Sequence, residues 1–209
     1  MPRGPTPLRT GKRELTKARN RARLLESARK VFAEREFEGT CVRDIVRASG
    51  LSVGTFYEYF RSKEQIFAAV AAEAAAGLRR RLRQVRRDRS LPFEQRIHRA
   101  YLAYFEFLVE ERPLCAVLER QLWQRDDVRA PEIALAVREL REDLLPDLAP
   151  GIAQGEADAL AAAMIGSALL VGRQMLSRRD LVPGAAAGFC AEFALHGLKG
   201  AASPRRRTG

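Results

Sequence analysis

Soft ligands are scarce in this 209-residue chain, which has three cysteines and two histidines. Cys41, Cys115 and Cys190 stand far apart with no C-x-x-C pair, and His98 and His196 are the only imidazoles. Neither a disulfide framework nor a metal site is expected. The cysteines read as small buried hydrophobes, a redox-sensing thiol being the other reading. No run of 18 apolar residues occurs, and the opening M-P-R-G-P-T-P-L-R-T has no apolar segment of signal-peptide type. A cytoplasmic protein with no membrane contact is expected. Catalytic equipment is equally sparse. His98, Cys115, Glu119 and Asp158 are the obvious candidates, and they show neither nucleophile–base spacing nor a phosphate-binding glycine loop. No enzymatic activity and no cofactor are expected.

Positive charge is abundant, with a formal net charge of +11. It is unevenly placed. Residues 1–63 hold 15 Lys and Arg against 7 Asp and Glu, residues 79–89 hold 7 against 1, and Arg205–Arg207 closes the chain, so the remainder is acidic. A basic end joined to an acidic body suits a DNA-docking head, because phosphate neutralisation drives binding only where the cations sit. An arginine-rich background composition is the bland alternative, and a basic binder of nucleic acid with no sequence preference is the competing function.

Residues 40–67, T-C-V-R-D-I-V-R-A-S-G-L-S-V-G-T-F-Y-E-Y-F-R-S-K-E-Q-I-F, fit two short helical patterns, a glycine turn and a third helix start into 28 residues. That is the sequence of a helix-turn-helix. Val42, Ile45 and Val46 share one face of the first helix, and Gly50 is free to take the left-handed turn that ends it. Ser52 caps the second helix, which carries Phe56 and Phe60 inward at i and i+4. Its other face is Val53, Gly54, Thr55, Tyr57 and Glu58. Ser62 and Gln65 read as a capping box that opens the next helix with Lys63 in its first turn, a cation suited to sharing a phosphate with the exposed amides.

Over residues 24–70 the pattern F-x-x-T-x-V-x-D-I-V-x-x-S-G-L-S-x-G-T-F-Y-x-Y-F-x-S-K-E-x-I-F resembles the DNA-binding domain of the TetR (tetracycline-repressor) family of bacterial transcription regulators. The resemblance implies an all-α fold, with an N-terminal three-helix helix-turn-helix domain joined by a long helix to an all-helical ligand-binding and dimerisation domain. It implies a sequence-specific regulator, a homodimer on a near-palindromic double-stranded DNA operator, acting as a repressor released by a small-molecule effector. Matched position by position, Arg43, Val53, Gly54 and Thr55 fall where members approach bases or backbone, and Tyr57, Tyr59 and Lys63 fall where members contact phosphates. Ser52 heads that helix and joins the set. Cys41 stands where members usually carry Thr or Ser capping the first helix of the motif. A thiol is a weak capping acceptor, and Thr40 is expected to take over.

The chain divides into a basic flexible arm (1–16), the helix-turn-helix domain (17–62), an effector-binding and dimerisation domain (63–199) and a basic disordered tail (200–209). The arm either orders in a DNA minor groove or serves as a solubilising tail. A first helix from about Lys17 to Glu36 carries Leu24, Leu25, Ala28, Val31 and Phe32 as its inward stripe. Arg19, Arg21 and Arg23 near its start are expected to face phosphate. A long helix follows Ser62 to about Arg89, its arginine cluster read as a solvated face rather than a second nucleic-acid surface. Asp126, Asp127 and Pro131 read as a loop before a helix over 132–145.

Aromatic residues gather between 93 and 123, usually a sign of core. Tyr101, Tyr104, Gln121 and Trp123 add polar handles to an apolar wall, and the resemblance places the effector pocket among these helices, with Phe67, Phe105 and Leu118 completing it. Residues 156–177 are apolar nearly all round. Leu160, Met164, Ala168, Val171 and Met175 on that helix, with Phe189 and Phe193 on the last one, are expected to meet their symmetry mates in a four-helix dimer interface.

Overall fold

The computed structural model describes residues 9–35, 37–123, 126–148, 152–178 and 180–202, with side chains described except at 9, 10, 12, 119–123, 126–129 and 199–202. Among the described residues the chain is all helix, with no strand. Its α-helices are α1 (Arg9–Arg35), α2 (Val42–Ser49), α3 (Val53–Tyr59), α4 (Lys63–Arg87), α5 (Phe93–Glu110), α6 (Arg112–Trp123), α7 (Asp126–Leu144), α8 (Gln154–Ser177) and α9 (Pro183–Ala202), and a 3-10 turn spans Leu145–Asp147. The chain divides into two compact units, residues 1–74 and 75–209, with the division inside α4.

The first unit is a small bundle around buried aromatics. Leu24, Leu25, Ala28, Val31 and Phe32 of α1 recur at helical spacing and are all buried, as are Ile45, Phe56, Phe60, Ile66 and Phe67 of the helices they face. Phe32, Phe37 and Phe67 form a ring cluster, with Phe67 edge-on to Phe32 at 5.1 Å and to Phe37 at 4.8 Å. α1 begins at Arg9, so residues 9–16 are helical rather than the flexible arm expected there. Arg, Lys, Leu and Glu are good helix formers, and the nucleus supplied by the buried stripe lets the helix propagate back past Lys17. The rest of the arm, 1–8, lies outside the described residues.

In the second unit α5 and α9 pack along each other, and α8 lies against α5, α7 and α9. Ile97, Tyr101, Phe105 and Leu108 of α5 meet Leu140 and Leu144 of α7, Ala161, Met164 and Ala168 of α8, and Ala187, Cys190 and Ala194 of α9. α7 starts at Asp126, so the expected loop is helix and Pro131 sits inside it. Carboxylates suit a helix N-terminus, whereas Pro131, in the second turn, costs the helix one backbone bond and crowds the carbonyl four residues back. α9 runs on to Ala202, three residues into the expected tail, whose remainder (203–209) lies outside the described residues.

Most arginines of α4, and Arg89 just after it, are ion-paired rather than a free solvated face. Arg79 pairs with Glu132, Arg81 with Glu106 at 2.9 Å and Glu110 at 2.7 Å, and Arg83 with Glu139 at 2.5 Å. Arg86 and Arg87 both reach Asp143, at 2.9 and 2.7 Å, and Arg89 reaches Asp147 at 2.6 Å. These cations neutralise carboxylates of α5, α7 and the turn after it. Local periodicity could not reveal that, because the partners lie 25 to 58 residues away.

Candidate nucleic-acid interface

The second helix of the motif, α3, is short and firmly anchored. Ser52 caps it, its Oγ accepting the Thr55 amide at 3.0 Å and sharing a hydrogen bond with Thr55 Oγ1 at 2.9 Å. Phe56 and Phe60, with ring centroids 5.9 Å apart, turn inward. The other side of α3 is open: Gly54, Tyr57 and Glu58 are exposed, and Val53 and Tyr57, one turn apart, stand 45% and 55% exposed. A helix pinned by two phenylalanines and holding a valine and a tyrosine out to solvent suits the major groove, which is wide enough for a helix and offers thymine methyls to apolar side chains. Tyr59 is half-buried.

α2 holds α3 in place. Gly50 ends it in the left-handed conformation, φ 63°, where an L side chain would be strained. Arg23 of α1 donates to the Ser49 carbonyl at 2.6 Å, and the Arg21 guanidinium lies 5.6 Å from the centre of the Phe60 ring. Two of the three arginines expected to face phosphate therefore stitch α1 to the motif. Arg43 and Arg47 of α2 are exposed.

At the head of α2, Asp44 takes the capping role that the sequence assigned elsewhere. The Cys41 amide and thiol both donate to Asp44 Oδ2 at 3.0 Å, while Arg35 and Arg47 approach Oδ1 at 3.2 and 3.5 Å. The two bonds from Cys41, more than the guanidinium charges, hold the Asp44 carboxyl below the ordinary 3.8 against the opposing effect of burial. Thr40 does not take over at the surface: it is only 3% exposed, so its expected DNA contact is corrected to a place inside the fold. The signal that could have shown this is Asp44 three residues after the capping Cys41, a carboxylate placed to reach back to the cap amide.

Lys63 is also engaged within the unit. Its Nζ donates to the Phe37 carbonyl at 2.8 Å and lies 4.2 Å from the centre of the Phe37 ring. Ser62 Oγ accepts the Gln65 amide at 3.2 Å as the capping box requires, but Gln65 reaches back to the Arg61 amide rather than that of Ser62.

Of the expected effector residues, Tyr101, Tyr104 and Phe105 come together on α5. Tyr104 and Phe105 meet edge to face at 5.2 Å, and the buried Tyr101 hydroxyl donates to the Met164 carbonyl and lies within hydrogen-bond reach of Ser167 Oγ, both at 3.2 Å. Burial pushes the Tyr101 phenol up to about 12, so it stays protonated and a donor. Gly172 of α8 lets Tyr104 lie close, since a Cβ there would stand 3.1 Å from its hydroxyl. Leu118 is half-buried, and the side chains of Gln121 and Trp123 lie outside the described residues. Phe67 does not belong with these: it is core of the first unit, beside Phe32 and Phe37.

The expected dimer face is also revised. Met164, Ala168 and Met175 are buried within the chain's own core, and Leu160 and Val171 are half-buried against it. Ala157, Ala161, Ala168 and Gly172 are buried as well, so the small-residue side of α8 faces its own chain. Turned outward are Ala162, Ala163 and Leu170 on α8, and Phe189 and Phe193 on α9, at 68% and 61% exposure. By length and composition α8 would suffice to cross a membrane, yet its inner side packs into the core described above.

Residues 24–70 match the model of the bacterial regulatory proteins of the tetR family. The HTH-type transcriptional repressor DhaR of Mycobacterium sp. (strain GP1) is 30% identical over 146 residues, covering 60% of this chain and 74% of that protein. The HTH-type transcriptional repressor AcnR of Corynebacterium efficiens is 44% identical over 57 residues, 27% of this chain and 30% of that one. The crystal structure of a TetR-family transcriptional regulator from Pectobacterium atrosepticum shares the fold, with a TM-score of 0.67 and 23% identity over 91% of this chain and 98% of that one.

Proposed function

The chain belongs to the tetR family of bacterial regulatory proteins and is a DNA-binding transcriptional regulator, and from that premise we propose that it is a repressor that binds a near-palindromic operator as a homodimer and is released by a small-molecule effector. The observation that carries this reading is α3: Phe56 and Phe60 fix it from behind while Val53, Gly54, Tyr57 and Glu58 stand clear in front. Each subunit would lay that face in a major groove, with the two helices one turn of DNA apart, about 34 Å. Exposed Arg43 and Arg47 supply sequence-independent attraction beside it.

The homodimer reading rests on the outward apolar side of α8 and α9. Leu170, Phe189 and Phe193 are exposed, and Gly166 and Gly188 have open space above them, so a second copy could approach closely there. For the effector, the half-buried Tyr104 beside buried Phe105 suits an apolar ligand with one polar group. Such a regulator works in the cytoplasm, where the operator is.

The reading is tested by selecting bound fragments from a random DNA pool with the purified protein and sequencing them. Enrichment of a two-fold symmetric site supports it. Salt-sensitive binding that enriches no sequence contradicts it and leaves a basic, sequence-blind binder.

A further inference from the structure

At the head of α3 the polar side chains are occupied by the cap. Ser52 and Thr55 spend their hydroxyls on each other at 2.9 Å. Glu58 differs: it is exposed, and no hydrogen bond or ion pair engages it among the described residues. It lies two positions beyond buried Phe56, about 200° around the helix, and so faces almost directly away from the core. It is also the sole carboxylate of α3, whose sequence is V-G-T-F-Y-E-Y.

A carboxylate there is a liability unless it has a specific use. A groove walled by phosphates repels it, and the exposed arginines of α2 would serve non-specific attraction better without it. Only a base amino group repays the approach, and the major groove presents two, on cytosine and on adenine. Adenine sets its N7 acceptor beside N6, and a carboxylate, which accepts without donating, meets that lone pair unfavourably. Cytosine presents its N4 amino group with no neighbouring acceptor on the same base. We propose that Glu58 is a specificity-determining residue that accepts a hydrogen bond from the N4 amino group of one cytosine in each operator half-site. The proposal rests on the reading of α3 as the groove helix and adds which base its tip selects.

The test repeats the random-pool selection with the full-length wild-type protein and with Glu58→Ala and Glu58→Gln, all at one salt concentration. Because Glu58 is exposed and unpartnered, all three should melt alike. Wild type is expected to show cytosine at one position of each half-site. Glu58→Ala should lose about tenfold of discrimination at that position and keep the others. Glu58→Gln, whose amide both donates and accepts, should move the preference there to adenine. The same base preferences in all three proteins would overturn the role of Glu58 and leave the operator reading standing. A wild-type protein that enriches no symmetric site would overturn both.

Discussion

Lys63 and Phe37 are joined twice: the lysine Nζ donates to the Phe37 carbonyl at 2.8 Å and rests 4.2 Å from the centre of the same residue's ring. This ties the first turn of α4 to the segment between α1 and α2. The resemblance places a phosphate contact at Lys63, and the ammonium has two further donors with which to make one. Lys63→Ala should therefore destabilise the protein by about 1–2 kcal/mol, from the lost hydrogen bond and cation–π contact. Denaturant unfolding measures that loss. The slope of log affinity against log salt should fall by about 0.9 if one phosphate contact goes with it; an unchanged slope would leave Lys63 a purely internal role.

Asp44 should make the motif acid-sensitive. Its folded pKa lies below the ordinary 3.8, with bonds from the Cys41 thiol and amide as the largest cause. A lowered carboxylate contributes stability that is fully present above its unfolded value and is lost as the pH falls through its folded one. Asp44→Asn should be less stable than wild type at neutral pH, and the difference should shrink on acidification below about pH 4. Thermal melts of both proteins between pH 3 and 7 give the comparison, and a constant difference would remove the linkage from this residue.

Asp143 is 2% exposed and receives both Arg86, itself 8% exposed, and Arg87. Removing the carboxylate leaves a buried guanidinium uncompensated, so Asp143→Ala should cost about 3–5 kcal/mol. Replacing the pair together, Arg86→Met with Asp143→Leu, should recover most of that loss. A double-mutant cycle on unfolding free energies would show whether the coupling exists.

The proposed dimer depends on the outward side of α9. Phe193→Glu and Phe189→Glu place charge on residues already exposed within one chain, so each variant should fold, yet run as a monomer in sedimentation where wild type runs as a dimer. Affinity for a two-fold site should fall with dimerisation. Wild type sedimenting as a monomer at micromolar concentration would contradict the proposal.

How much of this was legible in the sequence depends on distance along the chain. The left-handed Gly50, the Ser52 cap and the inward Phe56 and Phe60 all follow from residues within one turn of each other, and all could be read directly. What needed a distant partner could not. Lys63 reaches back 26 residues to Phe37, and the arginines of α4 find carboxylates up to 57 residues on. The orientation of α8 was illegible for another reason. A helix apolar nearly all round has no pattern that says which side its own chain will cover, and Met164 and Met175 proved to be inside while Leu170 is outside. Phe67 was misplaced because it falls near the start of a long helix serving both units, where the ring cluster with Phe32 and Phe37 claims it.

In the proposed function this chain reads sequence through α3. That reading is tested most directly by the ratio of affinities for the selected duplex and a scrambled duplex of equal length, measured by fluorescence anisotropy from 50 to about 200 mM salt. A ratio of at least about 1,000 is expected, persisting while both affinities fall with salt. A ratio near one across that range would mean that only the phosphates are being read, and would contradict it.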